Sequence, residues 1–130
     1  MKEVYEFLKD SKVFYLATID NDKPRVRPFG ALNIYNDKLY IQTGKVKSVS
    51  KQMSINPNVE ICAFNNGKWI RVEAKVVSDD SLDAKVSMLD NNPDLKSMYK
   101  AEDPNTEVLY LTNAKATIYS FTDAPKVIEF

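Results

Sequence analysis

Arg25, Arg27 and Phe29 alternate along an extended stretch, so all three fall on one strand face, two cations beside an aromatic ring. That set suits a planar anion, although arginines also serve simply to keep an edge strand soluble. A second group, Thr43-Gly44-Lys45-Val46-Lys47-Ser48, runs from a strand end into a helix start. Free N–H groups and the positive dipole end at such a start favour phosphate. Thr43 would add a hydroxyl and Lys47 a flexible point charge. Lys51, one turn later, shares that face, and the alternative is a solvated lysine surface. Third, Trp69 and Arg71 lie on the outward face of a strand whose other face carries Ile70, Val72, Ala74 and Val76. An outward tryptophan calls for cover, either from a second protein surface or from a flat ligand.

What is scarce narrows the chemistry. The 130 residues contain no histidine, which excludes a Ser-His-Asp triad, a Cys-His pair and a His-ligated metal site. Cys62 is the single cysteine, so no internal disulfide or CxxC pair exists, and a packed, inert thiol is expected. Gly30, Gly44 and Gly67 stand too far apart for GxGxxG or a phosphate loop. The carboxylates Asp79, Asp80 and Asp83 read as helix-start charges. Lys plus Arg and Asp plus Glu both number 18, a balance that argues against a nucleic-acid partner. No apolar run approaches membrane-spanning length, and no signal stretch opens MKEVYEFLKD. The expected location is the cytoplasm.

These residues need elements to place them. Val4, Phe7 and Leu8 recur at helical spacing, and Lys12 to Asp20 reads as a strand. Arg25 to Tyr35 runs extended, with Pro24 and Pro28 marking an edge. Asn36-Asp37 turns into the strand Lys38 to Thr43. A helix follows over Val46 to Ile55, with Val46, Val49 and Met53 on its apolar side. Val59 to Phe64 and Lys68 to Val77 form a second hairpin about Asn65-Asn66-Gly67. Asp79 or Ser81 caps a helix carrying Leu82, Val86 and Leu89, and Leu95, Met98 and Tyr99 suggest further turns. Glu107 to Thr112, Lys115 to Phe121 and Lys126 to Phe130 close the chain as strands. The expectation is a mainly β, small antiparallel barrel with short flanking helices, one domain over residues 1–130.

The succession LATIDNDKPRVRPFGAL, LYIQTGKVKSVSKQM, NPNVEICAF and WIRVEAKVV, closing with ATIYSF and PKVIEF, resembles the pyridoxamine 5'-phosphate oxidase-like family of FMN-binding split barrels. The likeness runs from about Phe14 to Phe130. It implies a six-stranded antiparallel split β-barrel of Greek-key type, forming a homodimer with FMN along the interface. By motif position, Arg27 and Lys47 would bind the FMN phosphate, with Thr43 assisting and Lys51 beside them. The backbone of Arg27, Pro28, Phe29 and Gly30 would run along the flavin ring, and Trp69 and Arg71 would belong to the same site. The family's true oxidases carry a C-terminal extension with Trp, Arg and His residues that grip their substrate. This chain stops at Phe130 without a histidine, so a short general-stress or nitroreductase-like member is expected, not a pyridoxamine 5'-phosphate oxidase. The expected function is a flavin-dependent oxidoreductase acting on a small substrate, with a nicotinamide electron donor possible. The alternatives are a flavin-binding, storage or sensing protein without turnover, or a relative using the deazaflavin F420. Haem is disfavoured, because no histidine can serve as axial ligand.

Overall fold

Two-residue turns set the hairpins. Asn36 and Asp37 take φ values of 51° and 57°, and Asn66 and Gly67 take 53° and 72°. These left-handed pairs match the right-handed twist of the flanking strands. In the computed structural model, which describes residues 1–130, the turns join β3 (Leu32–Tyr35) to β4 (Lys38–Gly44) and β5 (Asn58–Asn65) to β6 (Lys68–Asp79). A third hairpin pairs β1 (Phe14–Asp20) with β2 (Lys23–Phe29). With β7 (Thr106–Ser120) and β8 (Lys126–Glu129), all pairings are antiparallel. The strand order is β2-β1-β5-β6-β7-β4-β3, and β8 pairs with β7.

The two ends of that order are consecutive in the chain. Only Gly30 and Ala31 separate β2 from β3, so the sheet must curl until its ends approach, yet no ladder joins them. The product is an antiparallel barrel open along one seam, the split barrel that the sequence predicts. It has eight strands where six were expected. The extended stretch Arg25 to Tyr35 breaks into two strands at Gly30-Ala31. By contrast, Glu107 to Thr112 and Lys115 to Phe121 belong to the single strand β7. Asn113 takes φ 50°, and the β6–β7 register shifts between Glu73 and Lys75, so pairing resumes beyond the irregularity. Pro24 and Pro28 lie on β2, an edge strand where no ladder N–H is required.

Phe14, Leu16, Ile61, Ile70 and Val72 fill the barrel with no solvent exposure, and α1 (Lys2–Ser11) adds Val4 and Leu8. Helix α2 (Ser48–Ile55) buries Val49 and Met53 in that core. Val46 does not join them. The helix begins two residues later than expected, and Val46 sits in the preceding turn, 74% exposed. Helix α3 (Leu82–Asn91) is capped by Ser81, whose Oγ accepts from the Ala84 N–H at 3.3 Å. Its buried residues include Ala84 and Met88, packed with Tyr40 and Val108. Leu82 and Val86, expected inside, face outward instead, because small Ala84 is the residue that meets Tyr40. Tyr40 donates to Asp79 Oδ2 at 2.8 Å. Burial first, and then that bond to the carboxylate, push the Tyr40 hydroxyl above its ordinary value. Cys62 is exposed on the outer face, not packed, because Ile61 and Ala63 take the inward positions on β5. No helix is long and apolar enough to cross a membrane.

The barrel wall makes a direct energetic prediction. Leu16→Ala, at a fully buried position of β1, should cost about 2–5 kcal/mol in lost transfer energy and residual cavity. Urea unfolding should show a lower midpoint with an unchanged slope; a midpoint shift near zero would mean that Leu16 does not hold the wall.

Candidate functional site

The seam shelters a cavity of about 420 Å³, within the roughly 300–1,000 Å³ of small-molecule sites. One wall is the Arg27–Ala31 run that crosses from β2 to β3. The rest of the lining comes from Gln42 and Thr43 of β4, from Lys47 and Val49, and from Asn92, Asp94, Leu95, Met98 and Tyr99. Four of those five lie at or after Pro93, where a short 3₁₀ helix (Pro93–Ser97) follows α3.

Arg27 is braced from three directions. Its Nη1 donates to the Leu16 carbonyl at 3.1 Å and to Thr18 Oγ1 at 2.7 Å, and its Nη2 donates to Gln52 Oε1 at 2.7 Å. Thr18 in turn donates to the same Gln52 oxygen at 2.6 Å. The brace ties β1, β2 and α2 together beside the cavity. Burial, and then the charge of Arg25, lower the Arg27 guanidinium from its ordinary value, yet an arginine remains charged in a protein. Of its five N–H groups, the brace leaves the Nε hydrogen and one Nη2 hydrogen for another acceptor. Arg25 itself turns away to Asp20 at 3.1 Å.

Gln42 stands out as a side chain with nothing to bond. It is 7% exposed, and neither its Nε2 nor its Oε1 has a partner. Burying an unpaired amide costs on the order of 1–3 kcal/mol, so native proteins rarely keep one without a purpose. This one lines the cavity. A polar ligand there would satisfy both donor and acceptor.

The lysines separate. Lys45 Nζ pairs with Asp80 Oδ1 at 2.9 Å, outside the cavity. Lys47 lines the cavity and makes no ion pair. Lys51 lies in a separate surface depression with Asp20, Ser48 and Gln52. Helical spacing would align Lys47 with Lys51, but Lys47 is the N-cap, with φ −78° and ψ 149°, so the helical count does not run through it. No side chain caps α2. The N–H groups of its first residues, Ser48 and Val49, are therefore left for an external acceptor.

A cationic and hydroxyl-bearing end, an orphaned amide and a glycine at the strand crossing form one concave site. The family model described as pyridoxamine 5'-phosphate oxidase matches residues 1–119. The chain belongs to the pyridoxamine 5'-phosphate oxidase family. A NimC/NimA family protein from Clostridium acetobutylicum is 44% identical and superposes with a TM-score of 0.98, over 100% of this chain and 92% of that one. General stress protein 26 from Bacillus anthracis shares the fold at 22% identity and a TM-score of 0.75, with 99% and 98% of the two chains covered. A pyridoxamine 5'-phosphate oxidase-related, FMN-binding protein from Nostoc punctiforme does so at 17% identity and 0.66, with 98% and 91% covered. No curated protein matches the chain.

Within this family fold, the cavity gathers Arg27, Pro28, Phe29, Gly30, Thr43 and Lys47. It does not gather Lys51, Trp69 or Arg71. Trp69 stacks on Tyr119, with ring centroids 5.4 Å apart and planes at 15°, and touches Phe121 at 5.2 Å. Arg71 is held by Glu60 at 2.8 Å. Both lie on the outer sheet face, beside the exposed rings of Tyr15 and Phe64. Sequence reasoning missed Gln42, whose signal was a lone amide inside the apolar strand run LYIQT. It also missed Asn92 and Asp94; Leu95, Met98 and Tyr99 drew notice only as helical spacing.

The orphaned amide predicts an inverted stability effect. Gln42→Leu should stabilise the ligand-free protein by about 1 kcal/mol, because an unpaired buried polar group is replaced by an apolar one of similar size. Urea denaturation of flavin-free protein is the check; a destabilisation of that size would mean that the amide is satisfied in solution.

Proposed function

We propose that the chain binds FMN non-covalently in this cavity and works as a flavin-dependent oxidoreductase on a small substrate, as a homodimer. The observation that carries the reading is Gln42, a buried amide without a partner in the lining of a cavity that Lys47 also lines. The residues fit the cofactor. Lys47, the Thr43 hydroxyl and the open N–H groups of Ser48 and Val49 suit a terminal phosphate. The unused N–H groups of Arg27 add to them, and the brace from Thr18 and Gln52 fixes their direction. Gln42 offers one donor face and one acceptor face to a heterocycle or its polar chain. Phe29, Val49 and Leu95 supply apolar wall that excludes water.

Bound flavin would supply hydride or electron transfer, while the protein contributes position and electrostatics. The barrel interior is filled by its own side chains, so a flavin must lie at the seam, not in the core. Tyr15, Phe64, Trp69 and Phe121 leave an aromatic strip on the outer face. A second copy would cover that strip by a self-complementary contact and would bring Trp69 and Arg71 toward the cofactor.

Purified protein should carry or take up FMN with the visible absorption of a bound flavin. Lys47→Ala should weaken FMN by roughly tenfold to a hundredfold, the value of a charge-assisted hydrogen bond, and leave riboflavin nearly unaffected. Equal weakening of both ligands would remove Lys47 from the phosphate. Reduction of the bound flavin by NADH or NADPH, followed by absorbance, supports turnover; inertness toward both supports storage or sensing. Sedimentation over a dilution series should show FMN tightening the dimer, as linkage requires. A monomer that keeps full FMN affinity would contradict the shared-interface part of the reading.

A further inference from the structure

The turn that carries Lys47 is held by a residue far away in sequence. Gly44 closes β4, and the Lys47 N–H donates to the Gly44 carbonyl at 3.0 Å, forming a tight turn. The two N–H groups inside that turn both go to Asn105. Lys45 N–H donates to the Asn105 backbone carbonyl at 2.8 Å, and Val46 N–H donates to Asn105 Oδ1 at 3.0 Å. Asn105 is itself fixed, its N–H donating to Asp103 Oδ1 at 2.9 Å just before β7 begins. Its amide lies close against Gly44. A Cβ on Gly44 would stand 3.0 Å from Asn105 Nδ2, 3.3 Å from Oδ1 and 3.3 Å from the Tyr99 hydroxyl. Only a residue without a side chain lets Asn105 and the cavity-lining Tyr99 approach this closely.

We infer that Asn105 is a positioning residue for the anion end of the cavity, acting through the Gly44–Lys47 turn. Asn105 does not line the cavity. Its side chain fixes the turn from which Lys47 reaches inward and from which α2 starts, and so aims both the ammonium and the open helix N–H groups. The inference rests on the proposed FMN reading and concerns its phosphate. Without the Val46 bond the turn can rotate, and the loss falls on the charged end of a ligand, not on its ring.

The test compares FMN with riboflavin, by flavin fluorescence titration, in wild type, Asn105→Ala, Gly44→Ala and the double variant. Melting curves confirm that each is folded. Asn105→Ala should lose about three- to tenfold in FMN affinity, the worth of one hydrogen bond, with riboflavin affinity unchanged. Gly44→Ala should act in the same direction by pushing the Asn105 amide aside. The double variant should lose less than the two single losses combined, because alanine at 105 removes two of the three atoms that the new Cβ would meet, leaving only the Tyr99 hydroxyl. An unchanged FMN-to-riboflavin preference in folded Asn105→Ala, or equal loss of both ligands, overturns the inference and leaves the FMN reading standing. A wild-type protein with no affinity for either flavin overturns both.

Discussion

An arginine on an edge strand has to keep its charge in contact with dipoles, and Arg27 does so by reaching back across β1 to α2. The Leu16 carbonyl, Thr18 and Gln52 accept from it, and Thr18 is itself only 2% exposed. This brace fixes where the β2 end of the sheet stands relative to α2, which in turn fills the gap beside β4. The seam between β2 and β3 is therefore a defined gap and not a frayed edge. A fully laddered barrel would have no edge and no cavity here; a looser one would let the cavity collapse. The brace also spends much of the arginine's hydrogen-bonding capacity, so the guanidinium is a frame first and a ligand contact second.

The same gap explains why polar groups are tolerated inside it. Gln42 lies on an inner strand, between β7 and β3, its neighbours Ile41 and Thr43 are buried, and the pairing with β7 continues regularly from Tyr40 to Gly44. The desolvation cost of the amide is carried by the packing of the strands around it. Local cost balanced by global packing is a common signature of a binding site. The turn after Gly44 adds the complementary feature, a flexible cation beside open helix N–H groups.

Much of this was legible in the sequence, for reasons that can be named. The hairpins rest on Asn-Asp and Asn-Gly pairs, and the inward stripe of β6 rests on strict alternation; both are local. Thr43 and Lys47 drew notice because a strand-to-helix junction with a lysine is also local, and both line the cavity. What escaped depended on distant partners. Whether a glutamine is satisfied is decided by strands and loops dozens of residues away. The 3₁₀ wall at Pro93–Ser97 becomes a wall only when the seam is assembled. Lys51 was grouped with Lys47 by a helical count carried through Lys47, which is not yet helical, and it falls outside the cavity. The single strand β7 was divided at Asn113, since a left-handed residue looks like an end when its register shift with β6 is invisible. Trp69 and Arg71 were placed on the correct face, but one chain does not bring that face to the cavity.

The central claim is that the Gln42 amide, unpaired in the free protein, is the partner of a flavin. The most direct measurement is the side-chain amide resonance of Gln42 in nitrogen-15-labelled protein, titrated with FMN and assigned through Gln42→Leu. The account predicts a large shift of that resonance that saturates together with the visible spectrum of the flavin. Saturation of the visible spectrum while the Gln42 amide stays where it was would place the flavin elsewhere and contradict the account.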